Sequence, residues 1–105
     1  MFKRQKEIRS MVKLLSKIDR KSLEYVTERN IETYEETVLG RNGAINVMKD
    51  VLAIFCDGTE VFRCFITTDM TAGELLSLNG VCINAFDELT GRNRSIIAYY
   101  KYYRK

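Results

Sequence analysis

Two short turns of the chain carry arginine beside asparagine, a combination suited to holding an anion. The turns are Gly40-Arg41-Asn42 and Gly91-Arg92-Asn93-Arg94. Turns leave backbone N–H groups without ladder partners, so these groups, the guanidinium and the amide can all face one phosphate. Arg92 and Arg94 would share one face of a strand. Because two guanidinium groups on one face repel each other, this pair needs either a bound anion or a carboxylate such as Asp87 or Glu88.

Phenylalanines on predicted strands offer a second chemistry, the stacking of a nucleotide base. Most strand aromatics pack in a core, but one or two exposed rings could stack on a base. These rings are Phe55, Phe62, Phe65 and Phe86. A tyrosine-rich run with interleaved cations follows at residues 99–105. It fits three interpretations, which are a subunit interface, an edge strand protected by its lysines, and a ligand-binding surface.

The residues commonly used for catalysis and metal binding are scarce. The 105 residues include no histidine, and the three cysteines Cys56, Cys64 and Cys82 form no C-x-x-C pair. We therefore predict buried thiols in a reducing cytoplasm and no zinc site. The adjacent carboxylates of Glu35-Glu36 and Asp87-Glu88 would point to opposite faces of a strand, which makes each a poor acid–base couple. The sequence favours a binding protein over an enzyme and predicts no cofactor.

The clearest structural element is a hairpin over residues 51–66. Asp57-Gly58 lies between two apolar runs, and a type I′ turn requires positive φ at both central residues. A plain two-residue turn places Cys56 opposite Thr59 and Val51 opposite Cys64. In that register both faces of the hairpin are apolar and the two cysteines lie on opposite faces. A sheet that is apolar on both faces predicts a homo-oligomer, formed through the sheet and the N-terminal helix, with a groove at the shared surface.

The remaining elements are an N-terminal helix and further strands. Apolar residues recur at helical spacing over 3–29, with a break at 19–22, which predicts one kinked amphipathic helix or two. Residues 30–50 fit either a helix or strands around a breaker at 40–43, and strands are favoured. Residues 68–78 are expected to form a short crossover, and 81–87 and 95–103 two strands joined by a turn at Thr90-Gly91. The predicted fold class is α+β, a single domain over residues 1–105 with four or five antiparallel strands.

Charge is unevenly distributed along the chain. The net charge is +3, but residues 1–24 carry eight basic and three acidic side chains, and residues 91–105 carry five basic and no acidic ones. If the two ends meet, they form a positive patch for an anionic partner such as a nucleotide or nucleic acid. The sequence shows neither an apolar run of membrane-spanning length nor a signal peptide. We therefore expect no membrane association and a cytoplasmic location.

The order of these features resembles one family, the phage Thoeris anti-defence sponges of the first type. The resemblance rests on an N-terminal helical segment, Arg41 before the first central strand, Phe55 and Phe65 on paired strands, and the Arg92–Arg94 turn before the last strand. Proteins of this family are oligomers that sequester cyclic ADP-ribose-type signals without cleaving them, and some hold cyclic oligonucleotides. The resemblance implies that Phe55 or Phe65 stacks on adenine and that Arg41 with Arg92 or Arg94 holds the pyrophosphate. Asn79 would add a polar contact.

The leading hypothesis is thus a non-enzymatic protein that sequesters an anionic nucleotide second messenger in the cytoplasm of a phage-infected host cell. One alternative is a small phage or mobile-element protein that binds nucleic acid through the basic, tyrosine-rich C-terminus. Another is a protein–protein inhibitor or adaptor that uses the helix or an edge strand. The residues alone leave all three open.

Overall fold

The computed structural model describes residues 11–101, which form one short helix and a seven-stranded antiparallel sheet. The helix α1 covers residues 11–18. The strands are β1 (Ser22–Arg29), β2 (Glu36–Met48), β3 (Val51–Cys56), β4 (Thr59–Phe65), β5 (Thr71–Glu74), β6 (Gly80–Asp87) and β7 (Arg92–Tyr100). Their order across the sheet is β4-β3-β2-β1-β7-β6-β5.

The sheet curves until β4 lies against the C-terminal end of β6. There the N–H of Glu88 donates to the carbonyl of Arg63 at 2.7 Å. The concave face encloses the core, and α1 adds Leu15 and Ile18 to it. The fully buried aliphatic and aromatic side chains of this core include Leu23, Val26, Ile45, Leu52, Ile54, Phe62, Val81, Ile83 and Ile96. Removal of this apolar surface from water is the main force that holds the curved sheet together.

The predicted fold class is wrong. Instead of one or two long helices with four or five strands, the described residues form mostly β structure with a helix of only residues 11–18. The segment 22–29, predicted as helix, is β1, and the expected crossover contains the strand β5. The uncertain segment 30–50 contains β2, so the preference for strands there is confirmed. The predicted helix over residues 3–10 lies outside the described residues.

A β-bulge explains why β1 has the pattern of a helix. The pairing of β1 with β7 shifts register between Leu23 and Tyr25, which inserts one extra residue at Glu24. Leu23 and Val26 consequently both face the core although they are three positions apart. Alternation along a regular strand would place them on opposite faces, whereas a spacing of three is typical of a helix. The bulge therefore gives a strand the apolar spacing of a helix.

The Asp57-Gly58 turn is confirmed, but the predicted register beyond it is wrong. Asp57 and Gly58 have φ values of 50° and 79°, as a type I′ turn requires. The register then shifts between Ile54 and Phe55, so that Ile54 pairs with Phe62 and Leu52 with Cys64.

This shift places the apolar residues of the hairpin mainly on one face. The core side carries Leu52, Ile54, Cys56, Phe62 and Cys64, while Arg63 and Phe65 are exposed. Cys56 and Cys64 thus lie on the same side, contrary to the prediction, and both are free thiols. The outer face still carries the apolar residues Val51, Ala53 and Phe55 of β3, now beside the exposed Arg63 and Phe65 of β4, and self-association through the sheet stays a prediction.

The predicted breaker at residues 40–43 is instead a distortion inside β2. Asn42 has a φ of 52°, and the strand continues through it. A Cβ on Gly43 would lie 2.3 Å from the carbonyl oxygen of Phe55, and one on Gly40 would lie 2.5 Å from the Cβ of Cys56. The two glycines are needed because β3 approaches β2 too closely for a side chain.

Candidate functional site

The candidate site is built around the turn between β6 and β7. Gly91 has a φ of 73° and its N–H donates to the carbonyl of Asp87 at 2.8 Å. The Asp87 carboxylate accepts hydrogen bonds from the N–H groups of Leu89 and Thr90 and from the Thr90 hydroxyl. A carboxylate that satisfies the backbone of its own turn in this way fixes the turn conformation. The arginines that follow are thereby held in defined positions.

Arg94 is buried at the centre of a charged network inside the curved sheet. Its Nη1 donates to Asp87 Oδ2 at 2.7 Å and its Nη2 donates to Glu28 Oε1 at 2.8 Å. The side chain of Arg94 is 6% exposed and that of Asp87 is fully buried. Asp87 also accepts the N–H of Arg63 from β4 at 3.1 Å. The network therefore joins β1, β4, β6 and β7 where the sheet curves back on itself.

Both carboxylates of this network are held in the charged form. Burial raises the pKa of Asp87, but the Arg63 N–H, the Arg94 guanidinium, Thr90 and the Leu89 N–H together bring it below its ordinary value. The hydrogen bond from Arg94 lowers the pKa of Glu28 against the opposing effect of burial, and Arg92 lowers it further. Burial lowers the pKa of Arg94, but the hydrogen bonds that it donates to Glu28 and Asp87, together with their negative charges, bring it above its ordinary value. Arg94 is thus a structural cation.

Arg92 differs from Arg94 in being accessible to solvent. Its side chain is 58% exposed, and its Nη1 donates to Glu28 Oε2 at 2.9 Å. The carboxylate that two arginines on one face require is therefore Glu28, a residue of β1. Arg92 borders a cleft of about 210 Å³, the arginine cleft, lined by residues 28–32 and 92–95. Three arginines and two glutamates line this cleft, so its lining carries one net positive charge.

A second, larger cleft lies on the other side of the same turn. The aromatic cleft has a volume of about 430 Å³ and is lined by Phe65, Thr67, Asp69, Met70, Ala85, Phe86, Glu88 and Asn93. Phe65 is 53% exposed and Phe86 is 48% exposed, while Met70 is buried. Exposed rings beside a buried methionine provide an apolar surface suited to a flat ring. The volume lies within the usual range of small-molecule sites.

Asn93 connects the two clefts because it lines both of them. It pairs with Phe86 across the β6–β7 hairpin, and Arg92 precedes it. The arrangement brings an exposed cation, an amide and two exposed aromatic rings to one end of the hairpin. A ligand with a ring at one end and an anionic group at the other could contact all of them.

The structure brings together three of the six predicted site residues and separates the others. Phe65, Arg92 and Arg94 lie around the β6–β7 turn. Arg41 lies on the convex face, with its Cζ 5.7 Å from the centroid of the Tyr25 ring. Phe55 pairs with Ala44 and Glu60 at the end of the first hairpin. Asn79 precedes β6, where its side chain bonds to Ser77 and its carbonyl accepts the N–H of Tyr100.

The tyrosine-rich run is described only through Lys101. Tyr99 stacks on Tyr25 with ring centroids 4.5 Å apart, and its hydroxyl donates to Glu36 at 2.8 Å. Burial and the nearby Glu36 carboxylate raise the pKa of Tyr99 to about 12. Burial also raises the pKa of Tyr100, whose hydroxyl donates to Glu74. Both rings are therefore engaged within the chain, and Tyr102 and Tyr103 lie outside the described residues.

Sequence reasoning missed several residues of the site. Phe86 is among the four rings predicted to be able to stack on a base but not among the six predicted site residues, and the sequence assigns none of Glu28, Asp69, Met70 and Glu88 to a ligand site. Alternation along residues 81–87 could have placed Phe86 opposite to Val81, Ile83 and Ala85, and hence outside the core. Glu28 has no comparable sequence pattern, because its pairing with Arg94 bridges 66 positions.

Comparison with protein-family models, curated proteins and solved structures gives no significant match. Within residues 11–101 no helix is long and apolar enough to cross a membrane. The same residues contain no group of three or more His, Cys, Asp or Glu side chains arranged to hold a metal ion. The case for a function therefore depends on the geometry of the two clefts.

Proposed function

We propose that this chain is a non-enzymatic binding protein for an anionic nucleotide, held at the β6–β7 turn. The observation that carries the proposal is the position of Asn93 between the arginine cleft and the aromatic cleft. A nucleotide has the same division into a flat apolar ring and a charged phosphate, so each part has a chemically matched cleft. The resemblance to phage anti-defence sponges supplies the further proposal that the ligand is a cyclic ADP-ribose-type or cyclic oligonucleotide signal.

Arg92 is the residue proposed to hold the phosphate. Its planar guanidinium presents paired donors that match phosphate oxygens, and more than half of its side chain is exposed. If the Arg92 guanidinium leaves Glu28 to bind a phosphate, Glu28 keeps its ion pair with Arg94 at 2.8 Å and is not left as an unpaired charge. Arg29 lines the same cleft and adds a second, partly exposed cation, which also pairs with Glu36 at 3.8 Å. Arg94 positions Glu28 and is not proposed to touch the ligand.

Phe65 and Phe86 are proposed to hold the ring. The stacking of a base on an exposed aromatic side chain contributes about 1–3 kcal/mol, and this interaction tolerates different bases. Asn93 is placed to add a hydrogen bond between the ring and the phosphate. Sequestration requires only such binding and no bond cleavage, so the ligand would be recovered intact. As an activity of a phage protein, sequestration would take place in the host cytoplasm.

Isothermal titration with cyclic ADP-ribose isomers, cyclic dinucleotides and AMP tests the proposal. We expect binding of at least one nucleotide, release of the unchanged ligand on denaturation, and a loss of affinity of about tenfold or more in Arg92→Gln and Phe65→Ala. Arg63→Gln is a matched control, since Arg63 is also exposed and also pairs with a glutamate, Glu60, but lies outside both clefts. Absence of heat with every nucleotide, or equal losses in Arg92→Gln and Arg63→Gln, contradicts the proposal.

Nucleic-acid binding is a second candidate, favoured by one observation on the convex face. Tyr25, Tyr99 and the exposed Arg41 form a stacked aromatic and cationic surface there. Such surfaces bind single strands through base stacking and phosphate contacts. Binding of this kind weakens steeply with salt, whereas a nucleotide in a cleft shows a shallower dependence. Arg41→Gln separates the candidates, because it weakens strand binding and leaves nucleotide binding in the two clefts unchanged.

Self-association remains a proposal on new grounds. Leu15 and Ile18 of α1 pack in the core of their own chain, which removes part of the apolar stripe expected to meet a partner. Leu76 and Leu78, between β5 and β6, are exposed large apolar residues. A second copy would shield them from water. Light scattering over a range of concentrations tests this proposal. A Leu76→Ser variant should dissociate at a higher concentration than the unchanged chain if Leu76 and Leu78 mediate the contact, and an unchanged dissociation concentration contradicts the proposal.

A further inference from the structure

The charge of the aromatic cleft differs in sign from that of the arginine cleft. Its two charged lining residues are Asp69 and Glu88, both acidic and both exposed. None of the ion pairs formed among residues 11–101 includes either of them. The lining contains no lysine or arginine. The cleft therefore presents a negative potential, while the neighbouring arginine cleft has a net positive lining.

The aromatic rings reinforce this preference. The face of a phenylalanine ring carries negative electrostatic potential, which attracts a cation placed over it. Phe65 and Phe86 are both about half exposed in the same cleft. A neutral ring gains stacking from these side chains, whereas a positively charged ring gains both stacking and attraction to the carboxylates. The cleft is thus better matched to a cationic ring than to a neutral one.

We propose that the ligand of these two clefts is a nucleotide whose heteroaromatic ring carries a positive charge. The inference rests on the proposed function and specifies its ligand class. The cationic ring lies against Phe65 and Phe86 near Asp69 and Glu88, and the phosphate binds Arg92. Asn93 spans the boundary between the two parts. Rings of this kind include pyridinium nucleotides and purines made cationic by substitution at a ring nitrogen.

A matched pair of probes measures the effect of ring charge alone. Nicotinamide mononucleotide has a cationic pyridinium ring, and its dihydro form has a neutral ring on the same ribose and phosphate. In titration calorimetry with the full chain at low salt, we expect the cationic form to bind about tenfold more tightly. The double variant Asp69→Asn, Glu88→Gln should reduce this ratio to nearly one. Glu24→Gln, an exposed carboxylate outside both clefts, should keep the ratio.

Two results overturn the inference. One is equal affinity for the two forms, and the other is a ratio that survives the double substitution in a variant with unchanged circular dichroism. A third probe, 1-methylnicotinamide, has the cationic ring without ribose or phosphate. If 1-methylnicotinamide binds and the double substitution of Asp69 and Glu88 weakens this binding, the aromatic cleft holds a cationic ring. This conclusion would stand even if Arg92→Gln shows that Arg92 binds no phosphate. Tight binding of AMP together with equal affinity for the two mononucleotide forms would support the proposed nucleotide-binding function and exclude a preference for a cationic ring.

Discussion

The Arg94 guanidinium lies 2.7 Å from the Asp87 carboxylate, and both side chains are buried in the protein interior. Asp87 also binds the backbone of β4 through the Arg63 N–H. The pair therefore closes the curved sheet and at the same time supports the turn that carries Arg92 and Asn93. Loss of one partner would affect both the stability of the fold and the geometry of the candidate site.

We predict that Asp87→Ala strongly destabilises the protein. The substitution leaves the buried Arg94 cation with Glu28 as its remaining carboxylate partner. It also removes the acceptor of four other donors, which are the N–H groups of Arg63, Leu89 and Thr90 and the Thr90 hydroxyl. Breaking a buried ion pair by removing one partner costs about 3–5 kcal/mol. The free energy of unfolding from urea titration followed by circular dichroism measures the loss.

A surface pair provides the control for this prediction. Glu60 pairs with Arg63, whose side chain is 48% exposed. Exposed pairs contribute about 0–1 kcal/mol, so Glu60→Ala should change stability little. If Asp87→Ala and Glu60→Ala destabilise the protein equally, Asp87 does not have the structural role assigned to it.

Acidification should destabilise the fold through the same network. The pKa values of Asp87 and Glu28 lie below their ordinary values of 3.8 and 4.5 in the folded protein, so the unfolded chain binds protons first as pH falls. The free energy of unfolding is therefore expected to be constant above about pH 6 and to decrease steadily below about pH 5. Urea titrations between pH 7 and pH 3 measure this dependence.

Glu28→Gln tests the assignment of the pH effect. The variant lacks one of the two carboxylates with lowered pKa, so its stability should decrease less steeply between pH 5 and pH 3. An identical slope in both proteins would mean that other carboxylates cause the acid sensitivity. A stability that increases on acidification would contradict the direction of both pKa shifts.

The turns of this fold could be predicted from the sequence because their chemistry is local. Asp57-Gly58 and Thr90-Gly91 were both assigned to hairpin turns, and Asp57, Gly58 and Gly91 have the positive φ that such turns require. The shared face of Arg92 and Arg94 was also predicted correctly, since both bind Glu28. Alternation over a short strand is sufficient for that inference.

The bulges could not be predicted because packing between distant strands determines them. One extra residue near Glu24 gives β1 the apolar spacing of a helix, and one shift between Ile54 and Phe55 moves Phe62 and Cys64 to the core side. A shift of one residue exchanges the two faces of a strand. Errors in fold class and in the expected apolar faces both follow from this. The partner of the arginines was missed for a similar reason, because β1 was predicted to be helix.

Substitution of Gly43 should show how closely β2 and β3 approach each other. The new Cβ of Gly43→Ala would lie 2.3 Å from the carbonyl oxygen of Phe55, a backbone atom that cannot move without displacing β3. We expect a loss of about 1–3 kcal/mol, as for other overpacking substitutions. Gly73→Ala is the control, because no neighbouring atom lies within 4 Å of a Cβ placed on Gly73. Equal melting temperatures for the two variants would exclude a tight contact at Gly43.

The three thiols should differ in reactivity in the folded protein. Burial and the nearby carboxylates of Asp87 and Glu88 raise the pKa of Cys64 to about 11, and burial also raises the pKa of Cys56. Since the thiolate is the reactive form, both should resist a disulfide reagent such as dithionitrobenzoate at pH 8 until the protein unfolds. Cys82 is partly exposed on the other side of the sheet and should react first.

A Cys82→Ser variant identifies the source of the fast reaction. Its folded form should show almost no fast phase, and both remaining thiols should react once denaturant is added. The slow phase in the unchanged protein should accelerate with urea in parallel with unfolding, because access to Cys64 requires opening of the strands around Asp87 and Arg94. A fast phase that persists in Cys82→Ser would show that Cys56 or Cys64 is reached without unfolding. If a further Cys56→Ser substitution leaves that phase in place, Cys64 is accessible and the closure of β4 against β6 is contradicted.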